Sequence, residues 1–219
     1  MRVFLALLLT ATLARAEGEP AGDFDYYVLA LSWSPTFCAL EGEARDNPQC
    51  DRSLGWVLHG LWPQYDTPSS SDAAGQRNGG WPSYCNTTAR NPSRRESDAM
   101  ADIMGTGGSA WHQWKKHGRC SGLAPEDYFR LARLAYDRVT RPDILRRLDR
   151  AVRVPASVIE EAFLQANPDL TPDMLTITCQ SRRIQEARLC LTRDLEPRTC
   201  GADIVRDCSL DDALLDPID

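Results

Sequence analysis

"GWVLHGLWP", residues 55–63, contains a single polar side chain, His59, in an otherwise apolar run. Its tryptophans, valine and leucines favour a strand, with Gly60 and Pro63 as terminating signals. A histidine in such surroundings is ordinarily a hydrogen-bonded core residue. Upstream, "FDYYVLALSWSPTFC" (24–38) alternates and is rich in strand formers, so 24–33 reads as a second strand that stops at Ser34-Pro35. Near the C-terminus "MLTITC" (174–179) and "ARLCLT" (187–192) return to the same pattern.

Between these strands the period changes. Ala99, Met100, Ile103 and Met104 keep helical spacing over 93–104. A helix is predicted over 125–139, opening at Pro125, with Tyr128, Phe129, Leu131, Ala132, Leu134 and Ala135 as a core stripe. Another covers about 157–166, with Val158, Ile159, Ala162 and Phe163 on one side. The arginine-rich stretch 141–153 reads as a solvated helical face, because Asp143 and Asp149 interleave with its basic residues. Residues 66–80, "DTPSSSDAAGQRNGG", form a surface loop. The expected class is α+β, a single domain in which a central antiparallel β-sheet packs with several helices.

A chain of 219 residues supports one good core. "MRVFLALLLTATLARA" (1–16) has a basic start, an apolar run too short to span a bilayer, and a small-residue cleavage site. It reads as a secretory signal, leaving 17–219 as the mature domain in the periplasm or outside the cell, with no membrane attachment. All eight cysteines lie beyond that cut, and an even number in an exported chain reads as four disulfides. Composition leaves roughly a hundred pairings open. Losing Arg2 and Arg15 takes the formal charge from −6 to −8, so a nucleic acid would have to be held by a local basic patch.

That patch has one obvious candidate. The chain has three histidines and two lysines, and "WHQWKKHGRC" (111–120) holds two of the former and both of the latter. Ser109 is the expected N-cap and Gly118 the expected stop of a helix carrying it. With His112 at zero, Lys116 falls near 40°, Gln113 near 100° and His117 near 140° around that helix. Trp114 and Trp111 take the opposite arc, where they would anchor it on the core. Two imidazoles, an ammonium and an amide on one arc suit an anion undergoing proton transfer. His59, from the other aromatic segment, would supply an acid or base from the far side of a scissile bond.

"HGLWP" (59–63) and "HQWKKHGRC" (112–120), in this order, closely resemble the two active-site segments of the ribonuclease T2 family, exported acid ribonucleases related to plant S-ribonucleases. "LSWSPTFC" (31–38) and "ITCQSRRIQEARLC" (177–190) add weaker agreement. The resemblance implies cofactor-free, metal-independent cleavage of single-stranded RNA with low base specificity by a monomer. His117 would take the proton from a ribose 2′-hydroxyl and His59 would protonate the departing 5′-oxygen, giving a 2′,3′-cyclic phosphate and then a 3′-phosphate. DNA, which lacks the nucleophile, would be inert. His112 would bind phosphate, Lys116 would steady the transition state, and Trp62 would stack on a base. The implied disulfides are Cys38 with Cys50, Cys85 with Cys120, Cys179 with Cys208, and Cys190 with Cys200.

Two positions depart from the family's usual pattern. Many members carry glutamate where this chain has Gln113; a glutamate four residues before His117 would raise that histidine's pKa, whereas glutamine offers only hydrogen bonds. Gln64 stands where relatives often have an acid, so base preference does not transfer. The acidic surface points to best activity at mildly acidic pH. "NTT" (86–88) is a glycosylation sequon in a eukaryotic secretory route. The competing readings are an exported module that binds RNA or protein without catalysis, and a metal-dependent hydrolase using His59, His112, His117 and Cys120. The five-residue spacing of the last two histidines suits helical zinc ligation poorly.

Overall fold

A computed structural model describes residues 18–66 and 80–218. The proposed signal segment and most of the 66–80 loop lie outside them. The first strand, β1 (Tyr26–Trp33), runs into a short helix α1 (Ser34–Phe37), because Pro35 cannot donate to a sheet but suits a helix start. After β2 (Trp56–Gln64) come α2 (Arg94–Asp98), α3 (Ala101–Met104), α4 (Gly107–Lys116) and α5 (Pro125–Arg138). Then follow β3 (Val152–Val154), α6 (Ala156–Ala166), β4 (Leu175–Gln180), β5 (Arg183–Leu191) and β6 (Ala213–Leu215).

The strands form one sheet in the order β2-β1-β5-β6-β3, with β4 also paired to β5. It is antiparallel except between β5 and β6, so the expected antiparallel sheet is a mixed one. On one face Tyr27, Leu29, Leu31 and Trp33 of β1 join Leu58 and Leu61 of β2 and Leu189 of β5 against Tyr128, Ala132, Ile159 and Phe163 of the helices. Each such large side chain contributes about 1.5–3 kcal/mol by leaving water. The other face is thinner: Tyr26, Val28, Cys190, Cys200 and Ile204 cluster there, with Trp62 against them.

Four disulfides join Cys38–Cys50, Cys85–Cys120, Cys179–Cys208 and Cys190–Cys200, the same pairs that the resemblance implies. The Cys85–Cys120 bridge closes a span of 35 residues and fastens the end of the α4 segment to the 80s chain. Closing a loop of that length removes about 3–4 kcal/mol of unfolded-chain entropy.

Several expectations are corrected. The 93–104 helix is two short ones: α2 starts with a Ser93–Glu96 capping box, and Met100 turns the chain so that Met100, Ile103 and Met104 all face the core. The N-cap of α4 is Thr106, whose hydroxyl accepts from the Ser109 N–H at 3.0 Å; Ser109 is already inside the helix. Position 107, in the first turn, is held to glycine because a Cβ there would run into the Asp98 carboxylate. Gly118 ends nothing by its backbone: it lets the Tyr128 ring approach, and the left-handed residue is Gly122, at φ +77°. The arginine-rich 141–153 stretch has only a 3-10 turn (Asp143–Arg147) before β3: Pro142 restricts its start, and Leu145 and Leu148 reach the core without a longer helix.

Candidate active site

The β1–β2 ladder pairs Leu31 with Leu58 and Ala30 with Gly60, which makes His59 the extra residue of a β-bulge. In a regular strand, residues three apart point to opposite faces. The bulge cancels that alternation, so His59 and Trp62 share a face, with ring centroids 5.1 Å apart in an edge-on arrangement. Gly60 between them has no alternative, because a Cβ would run into the Trp62 indole nitrogen and the Gln113 amide oxygen.

On β5, Glu186 and Arg188 point to this same face, opposite Ser32 and Ala30 of β1. Those two small residues leave room for the longer side chains to cross β1. The Glu186 carboxylate is 2% exposed and fully engaged. His59 Nδ1 lies 2.5 Å from its Oε1, to which Ser32 Oγ also donates at 3.2 Å; Arg188 donates from Nε and Nη2 to Oε2 at 2.8 and 2.7 Å. Burial would push this carboxyl upward, but the hydrogen bonds and charges of His59 and Arg188 prevail and hold it down at about 2. Glu186 is therefore an anion against the back of the His59 ring.

The second histidine stands differently. His117 caps the C-terminus of α4, its N–H donating to the Gln113 carbonyl at 2.9 Å. It is 5% exposed, and its Nδ1 is buried with no hydrogen-bond partner. Burial first, then the charges of Lys116, His59 and His112, depress its pKa to about 3. Its ring centroid is 5.1 Å from that of Trp62, so the indole lies against both imidazoles and their centroids are within about 10 Å of each other. Trp62 Nε1 donates to Gln113 Oε1 at 2.8 Å, which pins the indole and leaves the Gln113 amide nitrogen as the end a substrate could meet.

His112 is exposed on α4, its pKa lowered by desolvation and then by Lys116, His59 and Lys115. It joins His59, Gln113 and Glu186 in lining a cleft of about 540 Å³ that continues past Ser32, Thr106, Ser109, Gln180 and Gln185.

The structure thus brings His59, His112, Gln113, Lys116, His117 and Trp62 into one neighbourhood. Gln113 is buried rather than displayed, and Trp111, expected to anchor α4, is 39% exposed while Trp114 alone does so. Cys120, offered as a metal ligand, is in a disulfide. Among the described residues no cluster of three or more His, Cys, Asp or Glu side chains could hold a metal ion. Gln64 is also buried, donating to Asp203 at 2.9 Å. Glu186 and Arg188 were not singled out in the sequence. The signal was an acid and a base two apart in a strand of buried residues, and a strand begun at Ala187 leaves the acid outside.

The α+β fold, stapled by disulfides, thus sets two imidazoles, one from a bulged strand and one from a helix end, against a single indole. This chain belongs to the ribonuclease T2 family, whose sequence model matches residues 24–200. It is similar to a protein of Aeromonas hydrophila named "Ribonuclease", 43% identical over 133 residues that cover 59% of this chain and 54% of the relative. The matched stretch spans about half the length of the curated relatives. Among solved structures it is similar to an RNase-related protein from Calystegia sepium, with TM-score 0.66, 21% identity, and coverage of 88% of this chain and 97% of that one. RNase NT in complex with 5′-AMP gives TM-score 0.56, 20% identity, and coverage of 84% and 98%. These two likenesses concern the fold. No helix among the described residues is long and apolar enough to cross a membrane.

Proposed function

We propose that the protein is an exported endoribonuclease that cleaves single-stranded RNA by acid–base transphosphorylation, with His117 as base and His59 as acid. The observation that carries the reading is the opposed environments of the two rings. His59 has its Nδ1 on the buried Glu186 carboxylate, which fixes the ring and leaves Nε2 free of it. His117 is buried beside the Lys116 ammonium, its Nδ1 without a hydrogen-bond partner among the described residues, so it rests neutral and ready to accept. One imidazole seated on a carboxylate and another seated beside an ammonium are the unlike pair that acid–base catalysis needs.

In this reading the phosphodiester lies between the rings. Its negative charge offsets the repulsion that Lys116 and His112 exert on His117, raising that base when substrate is bound. His117 takes the proton from the 2′-hydroxyl, and the 2′-oxygen forms a bond to phosphorus as the bond to the 5′-oxygen breaks. His59 gives its proton to that leaving oxygen. Lys116, His112 and the Gln113 amide offset charge on the non-bridging oxygens. The product ends in a 2′,3′-cyclic phosphate, and with the rings' roles exchanged water opens it to a 3′-phosphate. No protein nucleophile and no metal is required, and DNA is not cut. Trp62 holds both rings in place and offers its exposed part to the upstream base, while the leaving nucleoside enters the 540 Å³ cleft beside His59.

The test is cleavage of RNA by the purified protein in EDTA. The reading expects cyclic-phosphate ends and a loss of at least about 10²-fold in His59→Ala and in His117→Ala. Chelator-sensitive cleavage, or none by the wild type, would leave the metal-dependent or non-catalytic alternatives.

A further inference from the structure

We propose that the outer face of α4 holds a further nucleotide of the RNA, the second one downstream of the cut, with its base on the Trp111 indole and its phosphate at Lys115. The inference rests on the ribonuclease reading above and extends its cleft. Trp111 is 39% exposed, an unusual position for an indole on a helix whose other tryptophan is buried. Beside it lies a groove of about 380 Å³ formed with Pro92, Arg94, Ser97, Asp98 and the two glycines that open α4. The groove has an aromatic side, the Arg94 guanidinium as donor and the Asp98 carboxylate as acceptor, the combination that suits a nucleobase, with its flat face and mixed polar edge.

Continuity and charge indicate which nucleotide it is. Gly108 lines both this groove and the catalytic cleft, so the two hollows are separated by a ridge that carries no side chain at that point. The cleft opens beside His59, which protonates the 5′-leaving oxygen, so a strand leaving it runs downstream. The exposed arc of α4 passes from Lys116 and His112 through Lys115 to Trp111. Lys115 stands over the Trp111 ring, 5.4 Å from its centroid, and does not line the groove. In a chain of net charge −6, both lysines sit on this path. A polyanion is the occupant that such a placement favours.

The test compares kcat/KM for a cleavable dinucleoside monophosphate with the same substrate extended by one nucleotide at its 3′ end or at its 5′ end. For the wild type, the 3′ nucleotide is expected to raise kcat/KM about tenfold, the scale of one base stacked on an aromatic ring. Trp111→Ala should abolish that gain and Lys115→Ala reduce it, while both cleave the dinucleotide as the wild type does. Gly108→Leu, whose Cβ meets only the Thr106 hydroxyl oxygen in ordinary contact at 3.7 Å, raises the ridge and should also remove the 3′ gain. A wild type that cuts the dinucleotide but gains nothing from the 3′ extension overturns the proposal and leaves the ribonuclease reading standing. So does a 3′ gain unaffected by Trp111→Ala, which would leave the indole to a protein partner or to none. A wild type that cuts neither substrate would instead overturn the ribonuclease reading itself.

Discussion

His59 Nδ1 lies 2.5 Å from Glu186 Oε1, and the same carboxylate takes two N–H groups from Arg188 on its other oxygen. The contact joins residues 127 apart in sequence across an intervening strand. It fixes the ring so that Nε2 is the nitrogen left free of the carboxylate, and in the proposed mechanism that is the nitrogen that serves the leaving oxygen. Glu186 is a positioning residue in this account, since it reaches the substrate only through His59.

Replacing Glu186 with glutamine keeps the shape and removes the charge. The variant should lose roughly tenfold or more in kcat. The loss should be much smaller on a substrate whose leaving group needs no proton, because the ring that Glu186 positions then has none to deliver. A variant that is merely less stable would lose active fraction on both substrates alike, so an equal loss on the two would assign Glu186 a structural role only.

At Gln113 the opposite manipulation is informative. A glutamate there places a carboxylate one helical turn before His117 and raises the base. The base must be neutral to work, so Gln113→Glu should shift the acidic limb of kcat/KM upward and leave the alkaline limb in place. A stationary acidic limb would show that Gln113 serves only to pin Trp62.

Stability should also depend on His117. Its pKa in the folded protein is near 3, below the ordinary histidine value near 6.5, so between those pH values the unfolded chain binds the extra proton. Folding stability is therefore lost as pH falls through that window, by about 2 kcal/mol from pH 7 to pH 5 for this one group. The lowered Glu186 carboxyl adds a second loss at lower pH, between its ordinary value and about 2. Denaturant unfolding across this range should show wild-type stability falling and His117→Gln falling less between pH 7 and pH 5. Parallel curves would place the unpaired proton elsewhere.

Much of this architecture is legible in the chain itself. Alternation marked β1, β2, β4 and part of β5, and helical spacing marked α5 and α6, because those segments follow one period long enough to reveal it. The three histidines and two lysines stood out through scarcity alone. What escaped depended on long-range register. The bulge at His59 exists only once β1 is laid beside β2, and Glu186 becomes a partner only when β5 pairs with β1 so that Ser32 and Ala30 leave a passage. The Thr106 cap and the two-glycine opening of α4 escaped for a related reason: glycine is a poor helix former, and the Asp98 side chain that requires it comes from another element.

The division of labour between the rings can be tested by changing the leaving group. An RNA dinucleotide with sulfur in place of the bridging 5′-oxygen departs as a thiolate and needs no proton from an acid. The account predicts that His59→Ala, nearly inactive on the oxygen substrate, cuts the sulfur substrate at close to the wild-type rate, while His117→Ala remains inactive on both. Rescue of the 117 variant, or of neither, would contradict it.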